Sequence, residues 1–236
     1  MGAPRVVVVG CGVAGAAAAW SLARGGAAVT VVDGAGPGSA TAAGAGIVQP
    51  WSSTASGPFY DLYAAGAAAY PRLVEELAED GAADVGWAVP GSLVVDADPA
   101  RLDEVASLVR GRTAGTSAAG VVERLSPAEA RALFPPLAPD LGAVLVPGGA
   151  RVDGRRLREG LLGAARRHGA VVVRGQARTH LDRGDATVVT VDGEPLGADG
   201  VVVAAGAWTD HLLAPLGCPV GVTAQRGQIV HLAAEG

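Results

Sequence analysis

Residues 6–23 read VVVVGCGVAGAAAAWSLA: four valines, then glycines at 10, 12 and 15, then an alanine-rich stretch. No other feature narrows the fold of this chain so far. An unbroken β-branched run suits a strand covered on both faces. Glycines at that spacing suit a tight turn into a helix, which the alanines favour. The expectation is a strand over Val6–Val9, a helix over Ala14–Arg24 ended by Gly25 and Gly26, and a second buried strand over Val29–Val32 closed by Asp33. Two strands joined in this way lie parallel, with a right-handed connection.

Each part of Gly10-Cys11-Gly12-Val13-Ala14-Gly15 has a task in a loop that cradles a pyrophosphate. Gly10 permits the turn, Gly12 lets the phosphates approach the backbone, and Gly15 lets the helix pack closely on the strand. The helix start adds unpaired N–H groups and partial positive charge. Asp33, at the end of the second strand, is placed to accept hydrogen bonds from a ribose. Cys11 reads as a small residue tolerated between two glycines. The same stretch resembles an export or lipoprotein signal in composition only. Such a signal needs about 7–15 apolar residues before its cleavage site, and only four valines precede Gly10. A membrane helix needs about 20 apolar residues. The stretch therefore reads as part of a mature cytoplasmic protein, with no membrane span and with peripheral membrane association left open.

Composition narrows the chemistry further. Half of the 236 residues are apolar and 17% are charged, so the chain can bury a sizeable core. A net charge of −5 argues against nucleic acid as a partner. All 18 basic residues are arginine. Without lysine there is no GKS-type phosphate loop, no pyridoxal Schiff base and no Tyr-Lys dehydrogenase pair. Cys11 and Cys218 are too few for a disulfide framework and fit a reducing compartment. The four histidines show no metal-ligand spacing, and no GxSxG elbow is present.

Along the chain, Gly34–Pro58 is small and flexible, with no helical caps until its end. A helix is expected over Phe59–Glu79, with Leu62, Ala65, Ala69, Leu73 and Leu77 on one face and a kink at Pro71. VGWAVPGSLVVD reads as two strands across a Pro-Gly turn. Asp98 caps a helix over Pro99–Arg110, Ser126 and Glu129 form a capping box, and Asp153 opens a helix that stops at Gly169. Val171–Val173, a strand pair around Asp192-Gly193, GVVVAAGAW and Gly227–Leu232 supply the remaining strands. The mixed segment 85–146 reads as an insertion. The expected domains are thus 1–84 and 147–220 for cofactor binding, 85–146 for substrate, and 221–236 as the start of a second substrate segment.

A nicotinamide-binding domain would follow Asp33 with a further helix and a third parallel strand. Gly34–Pro58 shows neither, and its small residues suit close approach to something large and flat, which favours FAD. The chain resembles the FAD-dependent D-amino-acid oxidase superfamily of glycine oxidase, sarcosine oxidase and D-amino-acid dehydrogenases. The resemblance lies in VVVVGCGVAGAAAAWSLARGGAAVTVVD, GSATAAGAGIVQPW, GARVDGRRLREGLLGAARRHGAVVV, VVVAAGAWTD and QRGQIVHL, in that order. It implies an α/β fold: a Rossmann-like FAD-binding domain with an inserted α+β substrate-binding domain, incomplete at the C-terminus.

Residue by residue, the resemblance places Val13 and Ala14 on the pyrophosphate and Asp33 on the ribose. Ala40, Thr41, Ala45, Gly46 and Ile47 run along the cofactor towards the flavin ring. Arg178 meets the adenine through its backbone, and Gly206 passes close to the flavin with Trp208 packed behind it. Gln49, Trp51 and Arg226 are candidates for the substrate side, against the plainer readings of loop hydrogen bonding, packing and surface charge. The implied reaction oxidises the C–N bond of a small amine or amino acid by hydride transfer to flavin N5. The family's later segment, which holds the substrate carboxylate and covers the flavin, has no counterpart after HLAAEG, so the chain is expected to be a fragment. The alternatives are a nucleotide- or FAD-binding protein without activity and an NAD-dependent dehydrogenase.

Overall fold

The computed structural model describes residues 2–34, 36, 39–114, 117–182, 186–225 and 227. Its strands are β1 (Arg5–Val9), β2 (Ala28–Asp33), β3 (Ile47–Val48), β4 (Ser92–Asp96), β5 (Glu123–Leu125), β6 (Gly142–Val146), β7 (Ala150–Arg151), β8 (Val171–Arg174), β9 (Ala177–Asp182), β10 (Ala186–Val191), β11 (Glu194–Leu196) and β12 (Gly200–Val203). Its helices are α1 (Val13–Arg24), α2 (Ala40–Ala43), α3 (Gly57–Glu79), α4 (Pro99–Thr113), α5 (Pro127–Leu133), α6 (Gly154–Arg167) and α7 (Thr209–Leu213). They fall into two compact units. The first comprises Met1–Ala45, Leu77–Val85 and Asp153–Gly236, and the second comprises Gly46–Glu76 and Gly86–Val152.

The first unit is built on a parallel sheet of order β12-β1-β2-β8. The register runs Val6↔Gly200 through Val9↔Val203 on one side of β1, and Arg5↔Ala28 through Val9↔Val32 on the other. Period-two alternation divides the valines between the two faces. Val7, Val9 and Val32 join Val189, Val191 and Leu212 in one cluster, with β10 of the antiparallel β11-β10-β9 sheet supplying Val189 and Val191. Helices α1 and α6 pack against each other. Their buried residues include Ala16, Ala19 and Trp20 of α1 and Leu157, Leu161 and Ala165 of α6. Asp153 caps α6 by accepting from the N–H groups of Arg155 and Arg156 at 2.9 and 3.1 Å.

The second unit holds an antiparallel sheet of order β4-β6-β5 and the short pair β3-β7. Leu102, Ala106 and Val109 of α4 pack with Trp51, Val144 and Val146. The expected caps form: Asp98 accepts from the Ala100 N–H, and Ser126 and Glu129 close a reciprocal box. This unit begins at Gly46, well before the expected insertion boundary at 85. The reason is pairing, since Ile47 lies opposite Arg151 and Val48 opposite Ala150.

Three local expectations are corrected. Trp87-Ala88 and β4 are not partners across Pro90-Gly91, because Ala88 bridges to Arg151 while β4 pairs with β6. The apolar stripe of α3 is not a buried face: Leu62 is 73% exposed, and Leu77 is the buried residue of that helix. The stretch after Asp33 contains the four-residue helix α2. The strand expected over Gly227–Leu232 lies outside the described residues, apart from Gly227.

Candidate nucleotide-binding site

The loop between β1 and α1 is shaped by what its glycines lack. Gly10 has φ +110°, and its N–H donates to Val32 at 3.0 Å. A Cβ there would collide with the carbonyl of Ala204, the residue that follows β12 closely and donates to Val9 at 2.7 Å. At Gly15 a Cβ would collide with the carbonyl of Gly10. Gly12 stands at the N-cap of α1 in extended backbone and offers no side-chain hydrogen bond to the helix start. A helix end without such a cap leaves donors for another acceptor. One is satisfied from within the chain, since the Val13 N–H donates to Thr41 Oγ1 at 3.0 Å. Ala14, in the first turn, is exposed.

Asp33 ends β2 beside this loop, and Arg158 of α6 reaches both. Arg158 Nη2 lies 3.0 Å from Asp33 Oδ2 and 3.1 Å from Cys11 Sγ, while Nε donates to the Cys11 carbonyl. The side chains of Arg158 and Asp33 are 31% and 22% exposed, so the pair is partly screened from solvent. Burial pushes the Cys11 thiol above its ordinary pKa, while the Arg158 charge pulls the other way. A raised pKa opposes thiolate formation and agrees with a small packing residue. A cleft of about 190 Å³ opens here, lined by Cys11, Asp33, Arg158, Arg166, Val172 and Arg174 among others. A larger depression of about 420 Å³ lies along a different face of α6, against Ala82 and Asp84, and includes none of the glycine-loop residues.

The remaining candidates are distributed as follows. Ala40 and Thr41 open α2, which Arg155 holds by donating to the Ala42 carbonyl at 2.9 Å. Ala45 is exposed at the end of that segment. Gly46 has φ +70° and accepts from the Val152 N–H at 2.9 Å, and Ile47 is 69% exposed. Arg178 is an exposed residue of β9 opposite Thr190. Gly206 has φ +56° and open space where a Cβ would stand. Trp208, expected to pack behind it, is 47% exposed. The contacts of Gln49 and Trp51 lie within the second unit, and Gln49 Nε2 is buried without a hydrogen-bond partner among the described residues. Gln49 is buried and accepts from Ser52 Oγ at 2.8 Å, while Trp51 belongs to the core of the second unit. Arg226 lies outside the described residues.

These residues fit the adenosine diphosphate part of a dinucleotide. The cradle at Gly10 and Gly15 would be filled by any Cβ, the helix behind it has no side-chain cap, and a carboxylate stands at the neighbouring strand end. Sequence reasoning missed Arg158, whose role depends on contacts 125 and 147 positions away. It also missed Thr41 as the acceptor for Val13. Among the described residues, no group of three or more His, Cys, Asp or Glu is arranged to hold a metal, and no helix is long and apolar enough to cross a membrane.

The family model for FAD-dependent oxidoreductases, named DAO, matches residues 5–236. An uncharacterized oxidoreductase of Bacillus subtilis, YurR, is 40% identical over 226 residues, which are 95% of this chain and 61% of that protein. Glycine oxidase of Geobacillus kaustophilus is 30% identical over 231 residues, covering 95% of this chain and 60% of the relative. The crystal structure of iminodiacetate oxidase from Chelativorans sp. BNC1 superposes with a TM-score of 0.86 at 44% identity. That match covers 90% of this chain and 58% of the other. The chain thus spans about 60% of the length of the curated relatives it matches.

Proposed function

We propose, for a chain that belongs to the DAO family of FAD-dependent oxidoreductases, that it holds FAD and serves the oxidation of the C–N bond of a small amine or amino acid. The observation that carries the cofactor half is the loop from Gly10 to Gly15, closed over by Ala204 and followed across the sheet by Asp33. Gly12, Val13, Ala14 and Gly15 form the seat for the pyrophosphate, and Asp33 accepts from the ribose hydroxyls. Ala40, Thr41, Ala45, Gly46 and Ile47 belong to the path towards the ring, with Arg178 near the adenine and Gly206 near the flavin. Bound FAD supplies the acceptor for the two electrons and the hydride of such an oxidation.

The substrate class is supported by the relatives, which are named for glycine and for iminodiacetate. The division of labour, with cofactor binding in 1–84 and 147–220 and substrate contact in 85–146, belongs to the same proposal. So does a cytoplasmic location, for which the free thiols Cys11 and Cys218 speak.

A second reading is nucleotide binding without turnover. It is favoured by the concentration of built contacts at Cys11, Asp33 and Arg158, all of them at the adenosine end. One experiment separates the two. The purified chain is titrated with FAD, followed by flavin fluorescence, and then offered glycine, sarcosine and iminodiacetate. Binding with bleaching of the flavin absorbance by an amine supports the first reading. Binding without bleaching supports the second. A chain that leaves FAD fluorescence unchanged overturns the cofactor assignment. Asp33→Ala is expected to weaken FAD binding about tenfold, the loss of roughly 1.4 kcal/mol of charge-assisted hydrogen bonding.

A further inference from the structure

We infer that Arg158 is a positioning residue of the nucleotide site. Its guanidinium, sent from the second turn of α6, holds the backbone of the glycine loop and the carboxylate of Asp33 in the arrangement that receives a ribose and a pyrophosphate. The inference rests on the nucleotide reading above and deepens it.

The geometry is that of a clamp with three points. Nε donates to the carbonyl of Cys11, and Nη2 reaches both the Cys11 thiol at 3.1 Å and Asp33 Oδ2 at 3.0 Å. Cys11 is the residue between Gly10 and Gly12, and two glycines around it leave the loop backbone with more freedom than any other pair would. An anchor at that residue therefore restricts the part of the loop with most to lose on binding. The anchor is itself fixed. Leu157, Leu161, Leu162 and Ala165 of α6 are buried, and Asp153 caps the helix. A site held from a rigid helix needs little ordering when its ligand arrives.

Charge gives the second argument. A carboxylate at the strand end suits ribose hydroxyls but repels a pyrophosphate bound to the adjacent loop. Arg158 offsets that charge at its source, in a partly buried setting where screening is weaker than at the open surface. The planar fork matters as well. One ammonium on a flexible stem cannot span a backbone carbonyl, a thiol and a carboxylate at once.

ADP is the probe, because it carries the ribose and pyrophosphate but no flavin. Its affinity is measured calorimetrically for the full chain as wild type, Arg158→Met, Asp33→Ala and the double variant. Arg158→Met is expected to weaken ADP binding about tenfold in the wild-type background and less than about threefold beside Asp33→Ala. Equal losses in both backgrounds mean that Arg158 acts without Asp33 and overturn the inference, as does unchanged affinity in Arg158→Met. If Arg158→Met does not fold, Arg158→Lys takes its place. A fewfold loss supports the fork, and wild-type affinity overturns it. A wild-type chain that binds ADP but not FAD fails the FAD reading alone, whereas one that binds neither overturns both.

Discussion

Gly46 and Val152 touch backbone to backbone. The Gly46 carbonyl accepts from the Val152 N–H at 2.9 Å, and a Cβ on Gly46 would collide with the Val152 carbonyl. With φ at +70°, any L-residue there also enters the left-handed region, at roughly 1–2 kcal/mol. Both effects act on the β3-β7 pair one residue away. Gly46→Ala is expected to lower stability by about 2 kcal/mol or more, read as a lower urea midpoint. An unchanged midpoint would show that the β3 segment relaxes freely.

Arg112 of α4 stabilises the loop after β3 from 57 to 61 positions further along the chain. Its guanidinium donates to Trp51 at 2.9 Å, to Ser53 at 2.6 Å and to Ala55, and lies over Tyr60 with 4.0 Å to the ring centroid. Arg112→Leu leaves three carbonyls without their donor and should cost about 2–3 kcal/mol. Limited proteolysis should then cut the variant within 50–56 faster than the wild type. Equal cleavage rates would mean that the loop is held by Trp51 packing alone.

The two thiols should differ in reactivity. Cys11 is buried with a raised pKa, and Cys218 is exposed. Iodoacetamide at neutral pH is expected to modify Cys218 first and to leave Cys11 unmodified in the folded chain, as read by mass spectrometry. Equal labelling would mean that the glycine loop opens on the timescale of the reaction.

Acid should destabilise the first unit through identifiable carboxylates. A side-chain hydrogen bond from Arg5 is the chief reason that Asp199 is lowered from 3.8 to about 2. A hydrogen bond from Trp20 Nε1, 2.6 Å long, is the largest reason that Asp80 is lowered as well. A carboxyl whose folded pKa is depressed binds its proton more weakly folded than unfolded. Its stabilisation is therefore present above the unfolded value and is lost as pH falls through the folded one. The thermal midpoint should fall as pH drops from about 4 to about 2, and Asp199→Asn should flatten that slope. The same slope in variant and wild type would remove Asp199 from the account. The contribution of so exposed a pair is small.

Local pattern carried the reading of the nucleotide loop. Its valines, glycines, alanines and Asp33 fall within residues 6–33, and each residue type constrains backbone or burial by itself. The caps at Asp98, Ser126 and Asp153 were legible for the same reason, because a cap and the backbone N–H groups that donate to it lie within three residues. Partners were not. Nothing near Ala88 marks Arg151 as its bridge, and nothing near Leu62 shows whether another element covers it. Periodicity describes which side chains share a face, but burial depends on what the rest of the chain brings to that face. Arg158 illustrates the limit most clearly. An arginine amid Arg155, Arg156, Arg166 and Arg167 on one helix has no local mark that sets it apart, and only the tertiary fold turns it towards Asp33.

The parallel sheet has a consequence for the order in which the chain becomes competent. Strand β1 is made well before its neighbour β12, and Arg5 and its partner Asp199 are separated by 194 positions. The strand β12 that flanks β1, and the Ala204 carbonyl that walls in Gly10, are translated long after the glycine loop. Pairings this distant in sequence form late and slowly. A nascent chain that stops short of Ala204 carries the whole glycine signature and lacks the wall that gives it shape. On the nucleotide reading proposed above, a ligand that binds only once the sheet is finished makes the completed fold harder to undo.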